Sequence, residues 1–308
     1  MNQYRAQFDA KVNFTDSSNL CVEAFRVDLP GPDASDNEVA NLLISCLGLQ
    51  LVDDVNITKL VVRNETHTGT RGGPSDTTLD AGASLVELNH IISSGMTTYP
   101  GLPAPQVTPY LTREDSRQLY APGTEFAIDQ VTMVGNTGTY LDSPYHRYLN
   151  GDDLAKIELG RLVDLPAIVI QTNKTGARAI HPSAFEGFEV TNKAVLLYTG
   201  HASHWGKPSY GLDAPFLTKE AATWLVEQKA VLVGIDSVNI DEVTSKGERP
   251  VHTLLLAAGI LVVEHLTNLE QLPKTGSYFT AAPPRFSGFG TFPVRAYAKV
   301  PAVDTPND

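Results

Sequence analysis

Apolar and polar residues alternate along the first 63 residues in a way that predicts a small α+β unit. The alternation from Tyr4 to Phe14 has the period of a half-buried strand. Turn-forming residues at 16–19 lead into a second apolar run at 20–29, so the two strands are expected to pair as a hairpin. A third strand is predicted over residues 55–63.

A helix is predicted between the second and third strands. Ser35 and Glu38 have the spacing of a capping box, in which each residue satisfies the backbone amide of the other. The apolar residues that follow recur at helical spacing, and Gly48 is expected to end the helix. These residues are Val39, Leu42, Leu43, Cys46 and Leu47.

The remaining chain divides into a linker and a larger domain. We predict a small acidic α+β domain over residues 1–70, a linker over 71–83, where Gly, Thr, Ser, Asp and Pro dominate, and a mixed α/β domain over 84–308. In the larger domain, short β-branched runs alternate with two helical stretches, which gives the α/β class. The predicted strands cover 127–133, 167–171, 194–198, 231–235 and 260–263. Thr218 is predicted to cap one helix, and a second helix is predicted over residues 252–258.

Composition and charge narrow the class of protein. The 308 residues are 42% hydrophobic and 19% charged, as expected of a soluble globular protein with about two domains. The net charge of −12 argues against nucleic-acid and anionic-membrane partners, which bind clustered positive charge. Half of this excess lies in residues 1–82, which hold 12 acidic and 6 basic side chains.

The two cysteines and the first residues bear on the cellular compartment. Cys21 and Cys46 are too few for a disulfide framework or a cysteine-based zinc site, and we expect them to be reduced and buried. The chain has no apolar run of about 18 residues, and no apolar signal core follows Met1. The sequence therefore predicts a cytoplasmic protein.

Residues 135–146 hold the densest set of candidate chemical groups. They follow a predicted strand and are rich in turn formers, so they should form a loop at a sheet edge, where sites usually lie. Asp142 and His146 bracket Pro144, and a carboxylate and an imidazole on one stiff loop can bind a metal or share a proton. The same residues are also compatible with an ordinary turn.

A second candidate segment runs from residue 251 to residue 264. A histidine such as His252 near the start of a helix is usually a capping or packing residue. Glu264 closes an apolar run, and burying a carboxylate costs several kcal/mol unless it is paired or bound to a metal. The sequence therefore predicts a partner for Glu264.

The two segments together resemble the signature of the cyclase family that includes bacterial kynurenine formamidase and isatin hydrolase. Its hallmark is the loop H-x-G-T-H-x-D-x-P-x-H, followed far downstream by a histidine and, twelve residues later, a glutamate. The resemblance covers about residues 84–300 and implies a mixed-sheet, swivelling β/β/α cyclase-like domain. The matching residues are Gly138, Thr139, Asp142, Pro144, His146, His252 and Glu264.

The chain departs from that signature at two metal-ligand histidines, whose positions are occupied by Asn136 and Tyr140. The resemblance implies that Asp142, His252 and Glu264 hold one divalent cation, Zn²⁺ or Mn²⁺. It also implies that His146 donates and accepts the proton. Asn136 and Tyr140 would then orient the substrate carbonyl and stabilise the oxyanion. In the alternative, catalysis is metal-free, and His146 and Glu264 transfer protons.

Further aromatic and histidine side chains are candidates for substrate contact. His201, His204 and Trp205 follow a predicted strand, and His90 lies at a strand end. Solvated loop histidines are the simpler interpretation of the first two. We expect His265 to be a surface or packing residue.

The resemblance implies a hydrolase that acts on the C–N bond of a small-molecule amide or lactam, or on a lactone. Two alternatives stay open, namely a non-hydrolytic cyclase or dehydratase and a non-catalytic metabolite-binding protein. We expect a small-molecule substrate and a homo-oligomer, because family members commonly assemble as dimers or tetramers.

Overall fold

The computed structural model describes residues 3–29, 31–47, 49–65, 84–172, 176–244 and 247–301. The chain divides into two compact units, Met1–Thr78 and Leu79–Asp308. The predicted linker at 71–83 lies outside the described residues, as does Gly48. Among the helices of these described ranges, none has both the length and the apolar composition needed to cross a membrane.

The first unit is a three-stranded antiparallel sheet with one helix. Its elements are β1 Gln3–Phe14, β2 Asn19–Leu29, α1 Asp36–Leu47 and β3 Val52–Glu65, with the strand order β2-β1-β3. The predicted hairpin is confirmed by the pairing of β1 with β2. The predicted capping box is also present, because the Ser35 amide donates to Glu38 Oε2 at 2.9 Å and the Glu38 amide donates to Ser35 Oγ at 3.4 Å.

The two cysteines of this unit are exposed, so the prediction that they are buried is wrong. Cys21 is paired across the hairpin with Lys11, on the polar face of the sheet. Cys46 lies at the solvent side of the last turn of α1, whereas Val39 and Leu43 are the helix residues that enter the core. Leu47 in the same turn is also exposed, so the helical spacing of apolar residues continues along α1 beyond the part of the helix that is buried.

The second unit is a mixed α/β domain built mainly from short elements. Its elements are β4 Ser84–Glu87, β5 Gln106–Leu111, α2 Arg113–Ser116, β6 Ile128–Thr132, β7 Tyr140–Asp142, β8 Leu165–Gln171, β9 Ala179–Ile180, β10 Ala194–Tyr198, β11 Phe216–Leu217, α3 Lys219–Glu227, β12 Leu232–Ile235, α4 Pro250–Ala257, β13 Leu261–Glu264, β14 Thr275–Thr280, β15 Thr291–Pro293 and β16 Tyr297–Val300.

A nine-stranded mixed sheet forms the centre of this unit, with the order β15-β7-β13-β12-β10-β8-β14-β16-β4. The strands β13, β12, β10 and β8 are parallel, and antiparallel strands flank them. Their apolar residues are buried on both faces, as parallel strands require. The helices α3 and α4 contribute to the apolar cluster on one face. This arrangement confirms the predicted α/β class.

The segment predicted as a loop at a sheet edge is partly a strand. Residues Tyr140–Asp142 form β7, which lies between β13 and β15. Tyr140 is paired with Glu264, and Asp142 is paired with Val262 and Thr291. Because all three residues of β7 are buried, backbone pairing outweighs the turn-forming composition of the flanking residues. The sheet register therefore brings the two predicted chemical segments together.

Candidate active site

Asp142 is the buried carboxylate at the end of β7. Its Oδ1 accepts a hydrogen bond from the Thr291 hydroxyl. Its Oδ2 is buried without a hydrogen-bond partner in the part of the chain that the structure describes. Burial alone would raise the pKa of Asp142, but His252, His146 and Thr291 together hold it below its usual value. Asp142 is therefore an ionised carboxylate with one buried oxygen that makes no hydrogen bond within the described ranges.

His252 lies in the first turn of α4 and is oriented by Asp241. The His252 Nδ1 donates to Asp241 Oδ2 at 2.7 Å, and Asp241 also accepts from the backbone amides of Val251 and His252 at 2.8 and 3.0 Å. The other ring nitrogen, Nε2, lies 3.6 Å from Asp142 Oδ2 and 3.5 Å from Glu264 Oε1. Burial lowers the pKa of His252, but these carboxylates outweigh it and raise the pKa to about 10.

The position of His252 Nε2 between two carboxylates indicates a site for positive charge. Both distances are longer than a hydrogen bond. An unprotonated Nε2 would direct its lone pair at two negatively charged carboxylates, and this repulsion is unfavourable. A proton or a cation at this position would remove the repulsion. The hydrogen bond to Asp241 resembles the carboxylate–histidine pairs that orient metal ligands.

His146 occupies the short turn that follows β7 and is about one-third exposed. Its Nδ1 lies 2.7 Å from Thr291 Oγ1. Because the single Thr291 hydroxyl proton goes to Asp142, Nδ1 of His146 must be the donor in this contact. His146 and Asn136 line a pocket of about 290 Å³ that also includes Phe289.

Asp142, His146 and His252 form a cluster that can hold a metal ion. Each offers one ligand atom, and these atoms lie within 4.8 Å of one another. One carboxylate and two imidazoles suit Zn²⁺ or Mn²⁺, and three protein ligands leave a position for water. The free Asp142 Oδ2 is consistent with this use. Within the described ranges, Glu264 is not part of the cluster.

Glu264 is buried at the end of β13, and both of its oxygens have hydrogen-bond partners. Oε1 accepts from the Ile240 amide at 2.7 Å, and Oε2 accepts from the Tyr140 hydroxyl at 2.6 Å. Burial raises the pKa of Glu264 above its usual value, and the nearby Asp142 charge adds to this, while His252 and Tyr140 oppose it. The partner predicted for Glu264 is therefore a set of hydrogen bonds together with His252.

Tyr140 is only 2% exposed and lies behind the cluster. Its hydroxyl is hydrogen-bonded to Glu264 and lies 3.3 Å from His265 Nε2, and the nearby Asn136 side chain acts to lower its pKa. Burial, together with the charges of Glu264 and Asp142, raises the pKa of Tyr140 well above its usual value. The structure thus brings Tyr140 and Asn136 together, as the sequence signature implies for these two positions.

The predicted substrate-contact residues lie in two different environments. His90 and Trp205 form a parallel stack with a centroid separation of 3.9 Å, and Trp205 also contacts His265. Burial lowers the pKa of His90 to about 4, so this ring is neutral. By contrast, His201 is buried and donates to the Tyr210 carbonyl, and His204 is exposed and lies 3.0 Å from Ser209 Oγ.

Three residues that the sequence analysis did not single out contribute to the site, and a fourth was interpreted differently. Asp241 orients His252, Thr291 links Asp142 to His146, and Tyr210 bonds to His265. His265, which was expected to be a surface or packing residue, is fully buried, so only the second of these two alternatives holds. It sits between two tyrosine hydroxyls, and burial lowers its pKa to about 3.

Gly290 allows the strand that carries Thr291 to approach His146 closely. A Cβ at Gly290 would lie 2.5 Å from the His146 amide nitrogen and 2.6 Å from its Cα. Because these are backbone atoms, we expect Gly290→Ala to lower the free energy of unfolding by about 2 kcal/mol. Urea denaturation measures this, with Gly160→Ala as the control, since its Cβ would meet no atom within 4 Å. Equal stability of the two variants would contradict this close approach.

Comparison with known proteins assigns the chain to a family. The cyclase family model, described as "Putative cyclase", matches residues 86–242. This match covers half of the chain, and the chain belongs to the cyclase family. His252 and Glu264 lie outside the matched segment.

Individual relatives support this assignment. The chain is 25% identical over 214 residues to a kynurenine formamidase of Bacillus cytotoxicus, covering 68% of this chain and 95% of that protein. Isatin hydrolase A from Labrenzia aggregata, bound to benzyl benzoate, superposes with a TM-score of 0.62 at 23% identity over 71% of this chain and 94% of that one. A potential metal-dependent hydrolase with cyclase activity has a TM-score of 0.58 at 22% identity, over 70% and 98% of the chains.

Proposed function

We propose that this protein is a hydrolase that cleaves the C–N bond of a small-molecule amide or lactam with the help of one divalent cation. Asp142, His146 and His252 would hold the cation. The observation that carries the proposal is the buried Asp142 Oδ2, which lacks a hydrogen-bond partner among the described residues and lies 3.6 Å from His252 Nε2. The formamidase and isatin hydrolase relatives support the choice of a carbonyl substrate.

The residues around the cluster fix the ligand atoms before substrate arrives. Asp241 holds the proton of His252 on Nδ1 and leaves Nε2 directed at Asp142. Thr291 accepts from His146 Nδ1 and donates to Asp142, so it fixes the orientation of both side chains. A bound Zn²⁺ or Mn²⁺ would polarise the carbonyl and lower the pKa of an attacking water. The pocket beside His146 and Asn136 would admit the substrate.

The experiment that tests this function combines elemental analysis with turnover. The purified full chain is assayed on N-formyl arylamines, cyclic amides and lactones before chelation, after chelation and after Mn²⁺ or Zn²⁺ is restored. We expect activity only with the cation, and a product heavier than the substrate by one water. Full activity of a metal-free sample would instead support proton transfer by His146. A product of unchanged mass, or no turnover at all, would contradict a hydrolase.

We also propose that the protein is a homo-oligomer. The ribbon formed by β5 and β6 supports this, because the paired residues Val107 and Val131 lie on one face of it and are 45% and 52% exposed. An isolated two-stranded ribbon is marginally stable in water, and a second copy would cover these side chains. Sedimentation equilibrium measures the oligomeric state, and a monomer at micromolar concentration would contradict the proposal.

A further inference from the structure

Hydrogen bonds connect four buried side chains in the order Tyr210, His265, Tyr140 and Glu264. The Tyr210 hydroxyl lies 2.7 Å from His265 Nδ1, and His265 Nε2 lies 3.3 Å from the Tyr140 hydroxyl. Tyr140 in turn lies 2.6 Å from Glu264 Oε2. All four side chains are buried, so no bulk water competes for these bonds.

The donors and acceptors of these four side chains are arranged in one direction. The Tyr140 hydroxyl has a single proton, and it donates this proton to Glu264 Oε2. The Tyr140 oxygen is then an acceptor, and His265 Nε2 must carry the ring proton. His265 Nδ1 is consequently an acceptor, which the Tyr210 hydroxyl satisfies.

The backbone of His265 supports a specific role for the side chain. Its φ of +58° lies in the left-handed region, which residues with a Cβ seldom adopt. Strained backbone of this kind is found preferentially at functional sites. The conformation places the imidazole between Tyr140 and Tyr210 while Glu264, its neighbour in sequence, points to Ile240 and Tyr140.

We propose that Tyr210 and His265 are positioning residues that fix the Tyr140 hydroxyl on Glu264 and thereby keep this carboxylate out of the cation's ligand set. The proposal rests on the proposed function, because it concerns the same cation. Glu264 uses both oxygens for hydrogen bonds, whereas Asp142 keeps a free one. Tyr140 thus stands where the family signature has a metal-ligand histidine, and its hydroxyl restrains Glu264, which the signature also assigns to the metal.

The tautomer of His265 tests this series of hydrogen bonds without any assay of activity. In the ¹⁵N-labelled full chain, we expect His265 to be neutral with its proton on Nε2. Tyr210→Phe should move the Nδ1 resonance towards the value of a free acceptor nitrogen, and His265→Asn assigns the signal by removing it. A proton on Nδ1, an imidazolium at neutral pH, or no response to Tyr210→Phe would overturn the proposal.

The affinity for Mn²⁺, measured by calorimetry, tests the consequence for Glu264. Tyr140→Phe releases Oε2, so the carboxylate becomes able to approach the cation, and we expect the affinity to rise about fivefold. The double variant Tyr140→Phe with Glu264→Gln should lose this gain. The exposed Tyr278 provides the control variant Tyr278→Phe, which should leave the affinity unchanged.

Each outcome of the calorimetry bears on the proposal. A lower or an unchanged affinity of Tyr140→Phe would overturn it, and so would a wild-type chain that binds no Mn²⁺. Circular dichroism checks that the variants fold, and the tautomer measurement on the wild type needs no variant. Failure of turnover with Mn²⁺ binding and the His265 tautomer as expected would count against the proposed function alone.

Discussion

Asp142→Asn is expected to abolish cation binding and turnover together. The substitution removes the buried negative charge and turns one oxygen into an amide group that cannot bind a cation. Loss of an outer-shell partner already costs about 10–100-fold in metal affinity, so we expect loss of this ligand to exceed about 100-fold. Calorimetric titration with Mn²⁺ and the rate of product formation measure the two effects.

The matched control for this variant is Asp152→Asn, which changes an exposed aspartate ten residues further along the chain. It should keep the wild-type affinity and rate. If Asp142→Asn bound Mn²⁺ as tightly as the control, the cation site would lie elsewhere. If it also kept its activity, Asp142 would have no part in the reaction.

Asp241→Asn is expected to weaken cation binding by about 10–100-fold although Asp241 touches neither cation nor substrate. The Asp241 carboxylate accepts three hydrogen bonds, from the Val251 amide, the His252 amide and His252 Nδ1. An asparagine has only one acceptor oxygen, so its amide group would face at least one of these donors. The His252 ring would then turn or change its tautomer, and Nε2 would no longer be held towards Asp142.

The readout for Asp241→Asn is the Mn²⁺ affinity together with the ¹⁵N tautomer of His252. We expect a proton on Nδ1 of the cation-bound wild type and loss of this preference in the variant. Glu242→Gln provides the control, since Glu242 is the exposed neighbour in sequence. Unchanged affinity in Asp241→Asn would mean that the hydrogen bond does not position His252.

Local patterns were sufficient to predict several elements of the fold. The capping box at Ser35 and the predicted cap at Thr218 are both present, because each depends on residues three positions apart. β7 was not predicted as a strand because three residues are too few to show the alternation of apolar and polar side chains, and the flanking residues favour turns. Its strand character comes from pairing with residues far along the chain.

The candidate site was predictable only where a motif carried it. Asp142, His146 and His252 lie in the two segments that the sequence indicated, and the structure brings them together. Thr291 contacts Asp142 although the two residues are 149 positions apart in the sequence, and no local pattern predicts a contact over that separation. The same holds for Tyr210 and His265, which are 55 residues apart. The side chains that orient the candidate ligands can therefore be identified only from the three-dimensional structure.

A crystal structure of the full chain grown with Mn²⁺, with the ion located by its anomalous scattering, tests the cation site most directly. We expect one peak enclosed by Asp142, His146 and His252, with Glu264 still bonded to Tyr140 and the Ile240 amide. A saturated crystal with no peak at this cluster, or with the ion bound at another place, would contradict it.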